Sequence, residues 1–149
     1  MKKIILLFVV VLSAFCAVSC KKDNKTTVGI LLTATHSALN DAKDGFIEAL
    51  KANGYEDAEF VVRNPEGDAT TMNSMATELV RKSDIVLGVG TPAAVALQSA
   101  RDAEELDVTI LFTAVTDPEA AGLMDDVNKP TDIIPLNRYI FLLEIKEIK

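Results

Sequence analysis

A chain of 149 residues, 49% apolar and 25% charged, can bury one ordinary hydrophobic core but is too short for two full α/β domains. The net charge is −7, and loss of the basic leader would leave 13 basic and 22 acidic residues, which argues against nucleic acid as a partner. Both cysteines, Cys16 and Cys20, lie in the first 20 residues, so thiol chemistry is excluded from the folded part.

The N-terminus has the pattern of a bacterial export signal. A basic start is followed by an unbroken apolar run from Ile4 to Leu12, and small residues lead up to Cys20. Even when it is counted as far as Val18, the apolar stretch is shorter than the roughly 20 residues that span a bilayer. We therefore predict a signal peptide over residues 1–19 rather than a permanent transmembrane helix.

Cys20 is the predicted lipidation site. The small residues directly before it resemble a bacterial lipobox, whereas Cys16 follows the bulky Phe15. Acylation would make Cys20 the new first residue and residues 20–27 a lipidated polar tether. The alternative is a signal without lipid and an incidental cysteine. The predicted location is the cell envelope, lipid-anchored to a bacterial membrane, in the periplasm or on the outer face of the cell membrane.

From Thr26 onward, apolar runs alternate with helical patterns. The runs predict four nearly continuous apolar strands, as expected where both faces are covered, at residues 28–32, 60–62, 85–89 and 108–112. Apolar stripes between them predict three helices. The first ends at Gly54, the second is capped by Asp68, and the third runs from 92 to about 103.

This alternation with short connections is typical of parallel strands joined by crossover helices. We predict an α/β fold over residues 28–131: an open parallel sheet with helices on both faces, in a Rossmann-like or flavodoxin-like three-layer arrangement. Ligands of such sheets bind outside the carboxyl ends of the strands. Three segments lie there in this sequence, at residues 33–39, 90–93 and 114–118.

The segment at 90–93 has the pattern of a helix start. Thr91 is predicted as the N-cap and Pro92 as the first helical residue, while Gly90 lets a ligand approach the backbone closely. Free N–H groups and the helix dipole would suit a carboxylate or another anion there. The alternative is that these residues only turn the chain and cap the helix.

The other two segments offer polar side chains with two roles each. Asp117 and Ser37 each either cap a following helix, which the sequence favours, or contact a ligand, an amine in the case of Asp117. His36, the only histidine, either stacks on or hydrogen-bonds a ligand or is a solvated loop residue. No catalytic triad, dinucleotide fingerprint, P-loop or His/Cys cluster accompanies them, so we predict a non-enzyme without metal or cofactor.

In this order and spacing, the motifs resemble the ABC transporter substrate-binding lipoproteins of the type I periplasmic-binding-protein fold. The similarity runs from about Val28 to Thr131, and its main pieces are 36–39, 45–46, 54–55, 67–68, 84–86, 90–94, 112–118 and 122–123. The resemblance implies a first lobe that binds a small-molecule solute, in some members an aromatic amino acid, against a second lobe, and docks on an ABC transporter permease. It implies these first-lobe positions at the cleft, none of them catalytic: His36, Ser37, Ala38, Gly90, Thr91, Thr116 and Asp117.

Residues 132–149 depart from the family pattern. Family members continue with an Asn-Ile/Val-Thr-Gly stretch and a second lobe, whereas this tail is rich in Ile, Lys and Glu. It is either a frameshifted reading of an AT-rich gene or a genuine terminal strand or helix that packs on the lobe. We expect a truncated binder that is weak or inactive alone, because half a cleft leaves a ligand in water.

Two further interpretations remain open. An exported flavodoxin-like α/β domain could act as an interaction or regulatory module. Alternatively, the chain could be a subunit that pairs with a separately encoded second lobe.

Overall fold

The computed structural model of the protein describes residues 25–124 and 133–136. The predicted signal peptide and Cys20 lie outside the described residues. No helix within those ranges combines the length and the apolar character needed to cross a membrane.

The described residues form five strands and three helices. In chain order they are β1 (Thr27–Leu32), α1 (Ser37–Ala52), β2 (Glu59–Arg63), α2 (Ala69–Lys82), β3 (Ile85–Val89), α3 (Thr91–Ala103), β4 (Thr109–Thr113) and β5 (Ile133–Pro135). All four predicted strands and all three predicted helices are confirmed, with ends that shift by one or two residues.

The five strands form one sheet in the order β2-β1-β3-β4-β5, and every pair is parallel. This confirms the predicted α/β fold and its flavodoxin-like arrangement, whose strand order reverses between β1 and β3. β5 lies within the segment for which the sequence left a frameshifted tail and a terminal strand open. Residues 133–135 pair with Ile110–Phe112 of β4 and extend the sheet at that edge.

Apolar side chains cover both faces of the sheet. On one face, Phe46 and Leu50 of α1 pack against a group that includes Leu111 of β4. On the other face, α2 and α3 pack together over a larger group that includes Ile110 and Phe112. Successive residues of β4 therefore serve opposite faces, as the pleat of a strand requires, and the predicted helices on both faces are confirmed.

Gly88 sets how closely α3 approaches the sheet. A Cβ atom at this position would lie 2.6 Å from the Cα of Ala94 and 2.8 Å from its backbone N. Only a residue without a side chain permits that approach. The N-terminal turn of α3 is thereby fixed directly over the end of β3.

Candidate ligand-binding site

The carboxyl ends of β1, β3 and β4 lie side by side, because these strands are neighbours in the sheet. The backbone N–H and the hydroxyl of Thr33 both donate to the carbonyl of Val89, at 3.2 and 3.1 Å. The N–H of Gly90 donates in turn to the carbonyl of Thr113 at 3.0 Å. The loops that carry all seven predicted ligand-binding positions are therefore tied together at one edge of the sheet.

The edge contains the position where the strand order reverses. α1 follows β1 onto one face of the sheet, and α3 follows β3 onto the other. A crevice between the starts of two such helices is where open α/β sheets bind ligands.

The N-cap of α3 is Gly90, which is buried and has φ +96°. The predicted N-cap was therefore one residue too late: Thr91 is already the first helical residue, and its side chain makes no capping hydrogen bond. The physical reason is that Gly90 has a positive φ, a backbone conformation that is not helical, so the helix begins at the next residue. A Cβ atom there would also lie only 2.6 Å from the Thr33 hydroxyl oxygen.

The start of α3 keeps unused hydrogen-bond donors. The first N–H groups of a helix have no partner within it, and Pro92 has no N–H to contribute. Among the described residues, no acceptor faces the N–H of Thr91 or of Ala93. Ala93 is fully buried, whereas Thr91 is half-buried. With the positive end of the helix dipole, the N–H of Thr91 is therefore the group suited to an anion.

The N-cap of α1 is His36, whose Nδ1 accepts the N–H of Ala38 at 3.3 Å. The predicted capping role of Ser37 was wrong, because Ser37 is the first residue inside the helix. Side-chain capping by an imidazole is uncommon, so the sequence pattern favoured the serine. His36, Ser37 and Ala38 are all exposed at the edge of the crevice.

After β4 the chain turns without forming a helix within residues 114–124. Ala114 has φ +56°, and Thr116 and Asp117 are exposed. One carboxylate oxygen of Asp117, Oδ1, accepts the N–H of Ala120 at 2.9 Å. Asp117 therefore caps a turn rather than the helix that the sequence pattern indicated, and its second oxygen, Oδ2, has no hydrogen bond to another described residue.

A cluster that the sequence did not single out joins the loops after β1 and β2. The Glu66 carboxylate accepts the hydroxyl of Thr35 at 2.5 Å, the N–H of Thr35 at 3.1 Å and the side-chain amide of Asn64 at 2.8 Å. The hydrogen bonds from Thr35, with a smaller contribution from Asn64, lower the pKa of Glu66 below its usual value. The only sequence signal was a turn at 64–67.

A cavity of about 380 Å³ opens at the carboxyl ends of β4 and β5. Its wall is apolar apart from Thr113 and backbone groups, and it consists of Phe112, Thr113, Ala114, Val115, Pro118, Met124, Pro135 and Leu136. The volume lies within the range of small-molecule pockets. Because Pro135 ends β5 and Leu136 follows it, the sequence could not indicate the cavity before the place of that strand in the sheet was known.

The groups at this edge of the sheet can hold a ligand by hydrogen bonds and by charge. The loops at this edge carry the N–H of the half-buried Thr91, the hydroxyls of Ser37, Thr91 and Thr116, and the carboxylate of Asp117. Within residues 25–124 and 133–136, no group of three or more His, Cys, Asp or Glu residues is placed to hold a metal ion. The arrangement suits a ligand that carries both an anionic and a cationic group.

Comparison with known proteins gives the same family as the sequence motifs. The family described as "ABC transporter substrate binding protein" matches residues 27–140. A tyrosine-binding protein of Clostridioides difficile (strain R20291) is 38% identical over 116 residues, which cover 74% of this chain and 32% of that protein. The chain thus spans about a third of the length of this relative.

Solved structures share the fold. The ABC domain from Streptococcus pneumonia in complex with L-Trp is 30% identical with a TM-score of 0.69, and the match covers 75% of this chain and 38% of that one. A ligand-free, open substrate-binding protein with adhesive properties from Clostridium difficile is 32% identical with a TM-score of 0.68, over 80% of this chain and 43% of that one.

The family match extends over most of the chain and includes all the loops at the carboxyl edge of the sheet. The similar solved structures carry the same α/β architecture over part of their length. The family predicted from the sequence is thereby confirmed, and this chain belongs to the ABC transporter substrate-binding protein family.

Proposed function

We propose that this chain forms the first lobe of the solute-binding component of an ABC importer, and that its solute is an amino acid with an aromatic side chain. The observation that carries the proposal is the start of α3, where the N–H of the half-buried Thr91 has no acceptor among the described residues, next to the loop that leads to the exposed start of α1. The α-carboxylate of an amino acid supplies the anion that such a helix start favours.

The loop after β4 supplies the complementary charge. Asp117 is exposed, and its Oδ2, which has no hydrogen bond to another described residue, can accept the α-ammonium group. Thr116, which carries a hydroxyl, precedes it in the sequence. β4 is the neighbour of β3 in the sheet, so the two charged ends of one small zwitterion can be read from adjacent loops. An α-amino acid carries this pair of charges on one carbon atom.

The cavity beside this loop fits the side chain. Its apolar wall suits an aromatic ring, and its volume of about 380 Å³ holds a phenol or an indole. The matched relatives point the same way, since one is a tyrosine-binding protein and one solved structure contains L-Trp. Tyrosine and tryptophan are therefore the ligands to test first.

The described loops form one wall of a cleft. A ligand held on one side keeps much of its water, so we expect the chain alone to bind with a Kd in about the millimolar range. In the complete importer, a second lobe supplies the opposite wall, and the closed binding protein docks on the permease.

The test is an NMR titration of the ¹⁵N-labelled chain with L-tyrosine and two matched analogues. Tyramine lacks the carboxylate, and 3-(4-hydroxyphenyl)propionate lacks the ammonium group. We expect L-tyrosine to shift the amides of residues 36–38, 90–93 and 116–117, and each analogue to shift them less. Equal binding of tyramine and tyrosine would show that α3 does not hold the carboxylate.

L-Leucine and L-alanine test the side-chain part of the proposal. Both carry the same charged groups as tyrosine, so any difference in affinity comes from the side chain, and L-leucine fills part of the cavity without a ring. We expect L-alanine to bind more weakly than L-tyrosine, because it leaves the cavity unfilled. Equal affinities would remove the aromatic requirement while leaving the charged site in place.

We also propose that Cys20 carries the lipid that anchors the protein to the outer face of a bacterial membrane. The support is the small-residue pattern before Cys20 and the polar stretch after it. Cys20→Ala is expected to move the expressed protein from the detergent phase to the aqueous phase in a Triton X-114 partition. Cys16→Ala is the matched control and is expected to leave the partition unchanged.

A further inference from the structure

We propose that Glu66 is a positioning residue for the ligand site, because it fixes the loop that carries His36 and the start of α1. The inference rests on the proposed function for its effect on binding. It concerns a residue outside the predicted site and outside the cavity, in the loop that follows an edge strand of the sheet.

The Glu66 carboxylate holds Thr35 at two points. Its Oε2 accepts the backbone N–H of Thr35 at 3.1 Å, and its Oε1 accepts the Thr35 hydroxyl at 2.5 Å. Asn64 completes the cluster, since its side-chain amide donates to both Glu66 Oε1 and Thr35 Oγ1, at 2.8 and 2.9 Å. Hydrogen bonds to an ionised group are the stronger kind.

The backbone of the β2 loop is itself fixed in place. The Glu66 N–H donates to the side-chain oxygen of Asn64 at 3.0 Å, and the Gly67 N–H donates to the carbonyl of Thr33 at 2.9 Å. Glu66 has φ +52°, a region that a residue with a Cβ atom adopts at a cost. The side-chain bonds of Glu66 and Asn64 offset that cost.

Thr35 immediately precedes His36, so its orientation sets how the chain approaches α1. The His36 ring caps the helix through Ala38, and the neighbouring Ser37 N–H has no acceptor among the described residues. Thr35 and Glu66 are exposed, and Asn64 is half-buried. Without the carboxylate, the Thr35 N–H and hydroxyl would bond to water, and the loop would no longer be held in one conformation.

The first experiment uses the ligand-free chain with Glu66→Gln, and with Glu48→Gln as the matched control. Glu48 is an exposed residue of α1, so the control removes the same charge without touching the cluster. We expect amide hydrogen exchange at Thr35 to be about tenfold faster in E66Q and unchanged in E48Q. The Ala120 amide, bonded to Asp117, serves as an internal reference. Unchanged exchange at Thr35 in E66Q overturns the inference.

The second experiment repeats the L-tyrosine titration on the same proteins. We expect E66Q to raise the Kd about fivefold while its melting temperature stays close to that of the wild type, and E48Q to change neither. A purely structural role would lower the melting temperature and leave the Kd of the folded protein unchanged. Faster Thr35 exchange with an unchanged Kd would therefore overturn the positioning role.

Failure of the proposed function is distinguishable from failure of this inference. If the wild-type chain binds no aromatic amino acid, the proposed function fails, and with it the effect of Glu66 on binding. The exchange result on the ligand-free chain still decides whether Glu66 orders the loop.

Discussion

The two halves of the carboxyl edge are built differently. In the clamped half, made of residues 33–37 and 64–68, side-chain hydrogen bonds join two loops. In the open half, made of residues 114–118 and Leu136, the loops border a cavity lined mainly by apolar side chains. Among the described residues, the Asp117 carboxylate bonds only within its own turn. The crevice where the strand order reverses lies between them.

This difference separates two tasks of a binding site. Polar recognition groups gain from being held rigidly, because a fixed donor loses little entropy when the ligand arrives. An apolar cavity gains its affinity from burial, which is not directional. In the proposed site, the start of α3 and Asp117 hold the charged groups common to every amino acid, and the clamped half orders the neighbouring loop before α1. The cavity of the open half suits the side chain that distinguishes one amino acid from another.

Phe112→Ala tests whether the cavity is preformed. Phe112 lines the cavity and also packs beneath α2 and α3, with 4% of its surface exposed. We expect the free energy of unfolding to fall by about 3–5 kcal/mol, measured by urea denaturation.

Leu111→Ala is the control for this change, because Leu111 is fully buried on the opposite face and does not line the cavity. It is expected to cost about 2–5 kcal/mol. A cost below about 1 kcal/mol for F112A alone would mean that the open half repacks freely and has no fixed cavity.

Gly90→Ala tests the start of α3, which lies between the two halves. The new Cβ would meet Thr33 Oγ1 at 2.6 Å, and alanine would be held at φ +96°. We expect a loss of about 1–3 kcal/mol in the free energy of unfolding from the backbone conformation, with a further loss from the clash. Tyrosine binding should weaken as well, because the start of α3 moves.

Thr33→Ala in the same chain separates the two contributions. It removes the hydroxyl oxygen that the new Cβ at position 90 would meet. The double variant should therefore recover the stability lost to the clash but not the stability lost to the positive φ. A double-mutant cycle with the single T33A variant measures the coupling. A cycle without coupling would show that the two side chains do not meet.

Ala114→Gly and Glu66→Gly compare the halves at equal backbone geometry, since the two residues have φ +56° and φ +52°. In the open half, glycine relieves the strain and removes only one exposed methyl group of the cavity wall, so A114G should stabilise the protein by about 0.5–1 kcal/mol. In the clamped half, glycine relieves the same strain but removes the carboxylate bonds to Thr35. We expect E66G to give no gain in thermal unfolding, and equal gains would contradict the difference between the halves.

The sequence predicted the sheet and its helices well, because apolar runs and stripes follow directly from burial on two faces. It did not predict the strand order, which depends on which strands pair along the whole chain. The Glu66 cluster was missed for that reason. Thr35 and Glu66 are 31 positions apart and meet only because β2 lies beside β1.

The structure brings the predicted ligand-binding positions to one edge of the sheet but corrects the predicted helix caps. Helix starts at both α1 and α3 were recognised, but each cap lies one residue earlier than predicted, at His36 and Gly90. Preferences for Ser and Thr at caps describe the average helix. A positive φ at glycine and an imidazole acceptor are properties of this particular structure.

Glu66 in the clamped half and Glu78 in α2 provide the finest comparison, because different partners lower their pKa values. Glu78 bonds to Arg63 at 3.0 Å and to Lys82 at 3.1 Å, and these cationic partners, Arg63 foremost, lower its pKa to about 2. The partners of Glu66 are the uncharged Thr35 and Asn64. Salt screens the attraction between charges but does not weaken a short bond from a neutral donor to the same degree.

We therefore expect the pKa of Glu78 to rise toward its usual value in 1 M salt and the pKa of Glu66 to change little, as followed by NMR titration of the carboxyl carbons. Both pKa values are lowered in the folded state, so each carboxylate stabilises the protein above its unfolded pKa and loses that effect as the pH falls. For Glu78 the loss falls between pH 4.5 and about 2. It should be small, because Arg63 and Glu78 are each 34% exposed. A Glu66 pKa that follows the salt concentration as closely as that of Glu78 would show that unlike charges, not the Thr35 hydroxyl, hold the loop.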